Sequence, residues 1–359
     1  MSAPLRAAIV GLTGIGGGRA PARDGALRRP KPVSHAGAYV AEARTELVAV
    51  CDRRDEAIAD FRAQWPELDS VTSYQDFAEL LAAERPDIVS VATSDHLHAD
   101  LTVAAVEAGA KAILCEKPIA TTLADADRMI RACADAGVLL SIEYTRRWAP
   151  LFVEAKRILD SGALGAVRTV GAELHGPRAM LFRNGSHLID VLCWFVDADP
   201  EWVVAELESG FDHYDSYRGD GGRDPATDPS AVAMVHFGGD VRATYVSAKT
   251  KTPSSAVTVT GDEGKLILSD SHGRLIRGGE LRSGQKIETI EPPEYLAVRQ
   301  HAAVVELVDA LEAGGPHGAA VPLTCDGEEA RKTLEIMLAM LRSHAQGNVR
   351  VDLPLPPDE

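Results

Sequence analysis

Four places in the 359-residue chain bring together residue types that could do chemistry. The first is a run of five glycines within eight positions: Gly11, Gly14, Gly16, Gly17 and Gly18. It follows the apolar run Ala7-Ala8-Ile9-Val10 directly. A pyrophosphate cradle needs glycine, because a side chain would keep the backbone away from the anion. The helix expected to follow offers free N–H groups and the positive end of its dipole. The standard spacing is G-x-G-x-x-G. Here Gly11-Leu12-Thr13-Gly14-Ile15-Gly16 puts Thr13 at the second glycine position. Either Thr13 is tolerated there or Gly14 takes that role in a longer turn.

The second place is Asp52, at the end of the apolar run Leu47–Cys51. A carboxylate there can accept both ribose hydroxyls of an adenosine. Its charge repels a 2′-phosphate and so favours NAD, whereas Arg53 and Arg54 offset part of that repulsion and leave NADP open. The third is Glu116-Lys117-Pro118, after the apolar run Ala112–Cys115. A lysine at the carboxyl end of a parallel strand faces the crevice where ligands of such sheets bind. Its ammonium can hydrogen-bond a reacting oxygen and stabilise developing alkoxide charge. The fourth is the pair His187 and Asp190, three positions apart on a predicted helix and therefore on one face. His96-Leu97-His98 has no thiolate or carboxylate at zinc spacing, so no metal is expected there. His98 is expected to open the next helix beside the cofactor.

The elements that must position these residues change character near residue 150. Apolar runs at Ala7–Val10, Leu47–Cys51, Ile88–Ala92, Ala112–Cys115 and Val138–Ile142 read as strands covered on both faces. Helical patterns at Asp55–Gln64, Tyr74–Ala83, Asp100–Ala108 and Leu123–Ala136 lie between them. Strand–helix alternation predicts a parallel sheet with right-handed crossovers. Beyond Pro150, helices are expected at Leu151–Asp160 and Ser186–Phe195. Strands are expected at Thr169–His175, Trp202–Glu208, Ala231–Phe237, Val241–Ser247, Ala256–Thr260 and Lys265–Ser269. Gly238-Gly239-Asp240 reads as a hairpin turn, and Asp212–Asp228 as a loop. Helices near Ala297–Ala313 and Glu328–Ala345 close the chain. The fold class is thus α/β: a dinucleotide-binding domain of Rossmann type over residues 1–145, then an α/β domain with an open, mainly antiparallel sheet over 146–359. The C-terminal helix is a candidate to pack back on the first domain.

Composition sets the outer bounds. There are 37 basic and 53 acidic residues, a net charge of −16. That argues against a dedicated nucleic-acid binder, which needs a basic face, and against a polybasic membrane anchor. No apolar run reaches the ~18 residues of a membrane span. The five cysteines are odd in number and scattered, with no C-x-x-C. This predicts buried thiols in a reducing cytoplasm rather than disulfides or structural zinc. The step from Gly16 to Asp52 is 36 positions, against a usual gap of ~20. The excess is a Pro- and Arg-rich insertion, Arg19–Ser34, with Arg19, Arg23, Arg28, Arg29 and Lys31. It reads either as a solvated loop or as a basic lip near the cofactor phosphates.

The motifs, taken in order, resemble the Gfo/Idh/MocA family of nicotinamide-dependent sugar and cyclitol oxidoreductases. The residues that carry the resemblance are the glycine turn, Asp52, Thr93-Ser94-Asp95-His96-Leu97-His98, Glu116-Lys117-Pro118, Arg147-Trp148-Ala149-Pro150 and Gly185-Ser186-His187-Leu188-Ile189-Asp190. They span nearly the whole chain. The resemblance implies NAD, with NADP open, held by Gly11, Thr13, Gly14, Ile15, Gly16, Asp52, Arg53, Thr93, Ser94, His98, Glu116 and Lys117. It implies reversible hydride transfer with a secondary alcohol carbon of a sugar, cyclitol or sugar acid. Lys117 would stabilise the oxygen, His187 would move the hydroxyl proton and Asp190 would orient a substrate hydroxyl. A cis Lys117–Pro118 bond is implied, as is a homodimer or homotetramer built through the C-terminal sheet. One residue departs from the pattern. Arg183 stands four positions before His187, where many members have an aspartate that orients the imidazole, and an arginine cannot accept the imidazole proton. Arg146, Arg147, Arg178 and Arg183 suggest a substrate with a carboxylate or phosphate, which arginine grips bidentately; the alternative is interface or cofactor-side arginines. Two other functions fit the same fold: redox-neutral elimination, epimerisation or glycoside cleavage with retained NAD, and a non-catalytic cofactor-binding sensor.

Overall fold

A computed structural model describes residues 3–19, 32–219, 224–278, 284–314 and 322–356. The insertion residues Arg23, Arg28, Arg29 and Lys31 lie outside these. The chain forms two compact units. The first comprises Met1–Ala120, Asp125–Trp148 and Leu296–Glu328; the second comprises Thr121–Ala124, Ala149–Tyr295 and Glu329–Glu359.

The first unit is built on β1 (Leu5–Val10), α1 (His35–Ala41), β2 (Thr45–Cys51), α2 (Asp55–Gln64), β3 (Thr72–Tyr74), α3 (Phe77–Glu84), β4 (Ile88–Val91), α4 (His98–Glu107), β5 (Ala112–Cys115), α5 (Leu123–Ala136) and β6 (Leu139–Ile142). Its six strands are all parallel, in the order β3-β2-β1-β4-β5-β6. The chain starts in the middle and winds outward in both directions, so the order reverses between β1 and β4. A ligand crevice belongs at the carboxyl ends beside such a reversal. Every residue of β4 and β5 is buried, which is why these strands read as runs that are apolar apart from Ser90.

Two elements of this unit lie outside the sequence expectations. The strand β3 is three residues of Thr, Ser and Tyr at the sheet edge, without an apolar run to announce it. It takes Tyr74 out of the expected helix Tyr74–Ala83. That helix starts instead at Phe77, where the Asp76 carboxylate caps the Glu79 N–H at 3.0 Å. The helix α1 is hidden by the insertion. The backbone N–H groups of His35 and Ala36 donate to the carbonyls of Ile15 and Gly16, at 2.9 and 3.0 Å. Ser34 caps the same helix through Gly37 N–H. The helical path begun in the glycine turn, where Gly18 N–H already bonds Gly14 C=O at 2.8 Å, thus resumes at His35. In sequence the insertion falls between its two halves.

The second unit contains α6 (Pro150–Asp160), β7 (Val167–His175), a π-turn at Leu181–Gly185, α7 (Ser186–Val196), β8 (Pro200–Leu207), β9 (Ala231–Phe237), β10 (Val241–Ala248), β11 (Ser254–Gly261), β12 (Gly264–Leu268), β13 (Gly273–Arg277) and β14 (Lys286–Ile290). Then come α8 (Gln300–Glu312), which belongs to the first unit, α9 (Gly327–Ala345) and β15 (Val351–Asp352). The nine-stranded sheet runs β14-β13-β12-β11-β7-β10-β9-β8-β15 and is antiparallel except at β7/β10. Strands β9 and β10 alternate buried and open positions, the period of a sheet with one covered face. The expected turn at Gly238-Gly239-Asp240 joins them, with Gly239 and Asp240 both at positive φ. Strands β13 and β14 are short and charge-flanked, and no apolar pattern marks them. In α9, Leu334, Met337 and Leu341 are buried in the core and Leu338 is half-buried. All five cysteines are free and buried, and burial pushes the Cys51 and Cys133 thiols up to about 12. Among the described residues no helix is long and apolar enough to cross a membrane.

The turn between β1 and α1 tolerates no side chain at Gly11. Its φ is +92°, and an added Cβ would run into the Ala92 carbonyl. Gly11→Ala is expected to destabilise the protein by at least ~2 kcal/mol, read from denaturant unfolding. An unchanged midpoint would show that the turn relaxes without strain.

Candidate active site

The carboxyl ends of β1, β2, β4, β5 and β6 carry the residues that the sequence singles out. Gly14 sits at positive φ, and an added Cβ there would meet no atom within 4 Å. The mouth of the turn is therefore open, with bare backbone facing outward, and a diphosphate fits it. At the end of β2, Asp52 is tied to the same turn: Leu12 N–H donates to its carboxylate at 3.1 Å, as does Arg54 N–H. The Arg54 guanidinium lies 3.3 Å from it, and Arg53 is exposed. Arg19, the one insertion arginine among the described residues, stacks on Trp65 and pairs with Glu67 at 2.8 Å.

After β4, Thr93 and Ser94 are half-buried and lead through a short 3₁₀ turn, Asp95–Leu97, into α4. His98 opens that helix, as expected from the sequence, and is fully buried. Its ring Nδ1 lies 3.0 Å from the Pro118 carbonyl. A carbonyl only accepts, so Nδ1 carries the proton. The Lys117–Pro118 bond is cis. Lys117 is 7 % exposed and Glu116 9 %.

The Glu116 carboxylate faces inward, 3.1 Å from the Nε2 of buried His35. Burial opposes its charge. The His35 hydrogen bond, the His35 and Lys117 charges and His98 outweigh that and hold the carboxyl below its usual range. Beside it, following β6, stands Glu143. This residue is fully buried, and neither of its oxygens has a hydrogen-bond partner among the described residues. Burial pushes its carboxyl well above the usual range, and the charges of Glu116 and Glu306 push the same way. His35 and Glu143 are absent from the sequence-derived site. The insertion conceals the helix of the first, and the second reads as an ordinary polar residue after a strand.

In the second unit, His187 is half-buried and Asp190 fully buried, both on α7. The π-turn before α7 is held from the chain's own distant loop: Asp228 accepts the backbone N–H groups of Phe182, at 3.2 Å, and Arg183, at 3.0 Å. Tyr217 stacks on Phe182 with centroids 3.8 Å apart. Neither Asp228 nor Tyr217 has a spacing signal in the sequence. Arg178 is exposed and lines a cavity of about 380 Å³ with His175, Asn184 and Asp270. Arg183 is half-buried. Arg147, an expected substrate contact, is buried in the first unit and its guanidinium donates to the Thr324 carbonyl at 2.8 Å.

Residues 5–144 match the family described as "Oxidoreductase family, NAD-binding Rossmann fold", and residues 152–267 match the GFO/IDH/MocA C-terminal domain. A D-apiose dehydrogenase of Paraburkholderia graminis is 32 % identical over 268 residues, which are 69 % of this chain and 66 % of that protein. An inositol 2-dehydrogenase of Salmonella typhimurium is 28 % identical over 333 residues, 87 % of this chain and 91 % of that protein. Among solved structures, a levoglucosan dehydrogenase in complex with NADH and L-sorbose aligns with a TM-score of 0.77 at 18 % identity, covering 98 % of this chain and 100 % of its own. That likeness establishes the fold.

The ionisation of Glu143 has a consequence for stability. Its folded carboxyl holds a proton more tightly than the unfolded one does, so stability falls as pH rises from about 4.5 toward the folded value. Glu143→Gln keeps the shape and does not titrate. The expected outcome is a variant whose stability relative to the parent grows between about pH 5 and pH 8. Unfolding curves at both pH values measure it, and an equal difference at the two would show that Glu143 is not held neutral.

Proposed function

This chain belongs to the Gfo/Idh/MocA oxidoreductases, and from that membership we propose that it is an NAD-dependent dehydrogenase acting on a secondary alcohol carbon of a sugar, cyclitol or sugar acid. The observation that carries the reading is Lys117, nearly buried at the carboxyl end of β5, on the same sheet edge as the open glycine turn and Asp52. When bound, the nicotinamide supplies or accepts the hydride. The backbone of Gly11, Thr13, Gly14, Ile15 and Gly16 takes the diphosphate. Asp52 takes the ribose hydroxyls, and its negative charge favours NAD over NADP although Arg53 and Arg54 stand beside it. Thr93, Ser94 and His98 line the same edge, and the main chain of Glu116 and Lys117 borders it.

The residue roles are proposed as follows. The Lys117 ammonium donates a hydrogen bond to the reacting oxygen and stabilises the charge that develops there. His187 takes up or returns the hydroxyl proton as a general base or acid. Asp190, on the same face of α7, orients a substrate hydroxyl. Arg183 and the exposed Arg178 support a substrate that carries a carboxylate, since a guanidinium matches two carboxylate oxygens at once. The open face of the second unit's sheet leaves Val232 50 % and Met234 38 % exposed. We assign this face to a homodimer or homotetramer interface, since apolar patches of that kind mark association surfaces.

Lys117→Ala is expected to lower kcat by ~10³-fold or more while leaving the Kd for NADH within about threefold. Steady-state reduction of NAD by a panel of sugars, uronates and cyclitols measures the first, and NADH fluorescence titration the second. Near-normal turnover would sink the assignment. Equal kcat/KM for a uronate and its neutral analogue would remove the anionic substrate. For the interface, the double change Val232→Glu with Met234→Glu is expected to bring the mass in light scattering down to that of one chain. An unchanged oligomer would place the interface elsewhere.

A further inference from the structure

Behind the Glu116-Lys117-Pro118 turn, four side chains of the first unit touch end to end. The Tyr39 hydroxyl of α1 lies 2.8 Å from Ser90 Oγ in β4. Ser90 Oγ lies 2.8 Å from Nδ1 of His35, also in α1. His35 Nε2 lies 3.1 Å from Glu116. Tyr39, Ser90 and His35 are at most 1 % exposed. The serine, histidine and carboxylate are the types of a hydrolytic triad. Here, however, Ser90 is locked inside a four-residue strand between Ile9 of β1 and Leu114 of β5, out of reach of any substrate. The series leads instead to Lys117. The second Glu116 oxygen accepts the Lys117 backbone N–H at 3.4 Å, and the lysine charge acts on the same carboxylate.

We propose that His35 is a positioning residue for Lys117: its ring fixes the Glu116 carboxylate as the buried counter-charge of the lysine ammonium. The inference rests on the dehydrogenase reading, in which Lys117 must be a charged donor. A carboxylate at this depth is costly unless a donor meets it. His35 provides the donor. Its own second nitrogen is engaged by Ser90, which Tyr39 engages in turn, so the ring cannot swing away. The groups that face Glu116 are His35 from α1, Lys117 on its own turn, His98 from α4 and Glu143 after β6. Glu143 is faced in addition by Tyr39 from α1 and Glu306 from α8. Two neighbouring buried carboxyls divide their states, one ionised and one protonated. Glu143 takes the protonated state and leaves one negative charge behind the lysine. Without His35, Glu116 takes up a proton and Lys117 gives one up at lower pH.

The test is a ¹³C NMR titration of ε-labelled lysine, with the Lys117 signal identified by its loss in Lys117→Arg. In His35→Ala the Lys117 midpoint is expected to fall by about one unit or more, and the limb of the kcat/KM–pH profile it controls to move with it. In His35→Gln, which keeps an N–H donor for Glu116, both are expected to return toward the parent. Glu116→Gln, a neutral isostere, is expected to lower the midpoint as His35→Ala does, and it decides the matter if His35→Ala does not fold. An identical Lys117 midpoint in the parent and in either charge-removing variant would overturn the proposal. The titration does not depend on turnover, so the two readings fail separately. A shifted midpoint alongside near-normal activity in Lys117→Ala would sink the dehydrogenase role of the lysine and leave His35 in place. An unshifted midpoint with inactive Lys117→Ala would do the reverse.

Discussion

An ammonium and a carboxylate, neighbours in the chain and both nearly buried at the end of β5, set the terms for the first unit. Neither charge is acceptable in a low-dielectric interior by itself. β5 is Ala-Ile-Leu-Cys, and Ser90, the one polar residue of β4, reaches the carboxylate only through His35. Help has to come from residues whose side chains reach the strand ends, and these are few: His35 from α1, His98 from α4 and Glu143 after β6. Each is fully buried. A polar layer therefore lies under the sheet's carboxyl edge, with His35 bonded to Glu116 and His98 to the Pro118 carbonyl before any ligand arrives. Such preorganisation is what electrostatic catalysis requires, because a group already fixed costs no reorganisation at the moment of reaction.

The same constraint explains how the chain accommodates an insertion between the glycine turn and its helix. If α1 merely followed the insertion, its position would vary with the loop. It does not merely follow. Its first two N–H groups bond the carbonyls of Ile15 and Gly16, so the turn and the helix behave as one interrupted helix. Two requirements meet there. The turn must present bare backbone at Gly14, and the helix must deliver His35 to Glu116. Both are met by that stitch of backbone hydrogen bonds.

What could be read from the sequence divides along physical lines. The parallel sheet was legible because strands buried on both faces are apolar at nearly every position. The ends of α2 and α5 and the opening of α4 at His98 were legible too. Glu116, Lys117 and Asp52 stood out because charge directly after an apolar run marks a strand end. Three things were hidden. The strand β3 is Thr-Ser-Tyr and pairs only on one side, so no pattern betrays it. His35 was hidden because the insertion separates it from the glycine turn in sequence though not in space. Glu143 was hidden because a glutamate after a strand ordinarily points to water. Only the packing of α1 and α8 around it reverses that expectation, and no local signal encodes such packing.

The second unit shows how one substitution is absorbed at a distance. At position 183 an arginine replaces the carboxylate that the family resemblance implies for orienting His187. A carboxylate nevertheless reaches this turn. Asp228, 45 residues on, accepts the main-chain N–H groups of Phe182 and Arg183, and Tyr217 from the same loop lies flat on Phe182. The bonds go to backbone, not to the imidazole, so they fix the π-turn and the start of α7 rather than the histidine's tautomer. Asp228 and Tyr217 thus hold the turn that leads into α7, the helix that carries His187 and Asp190.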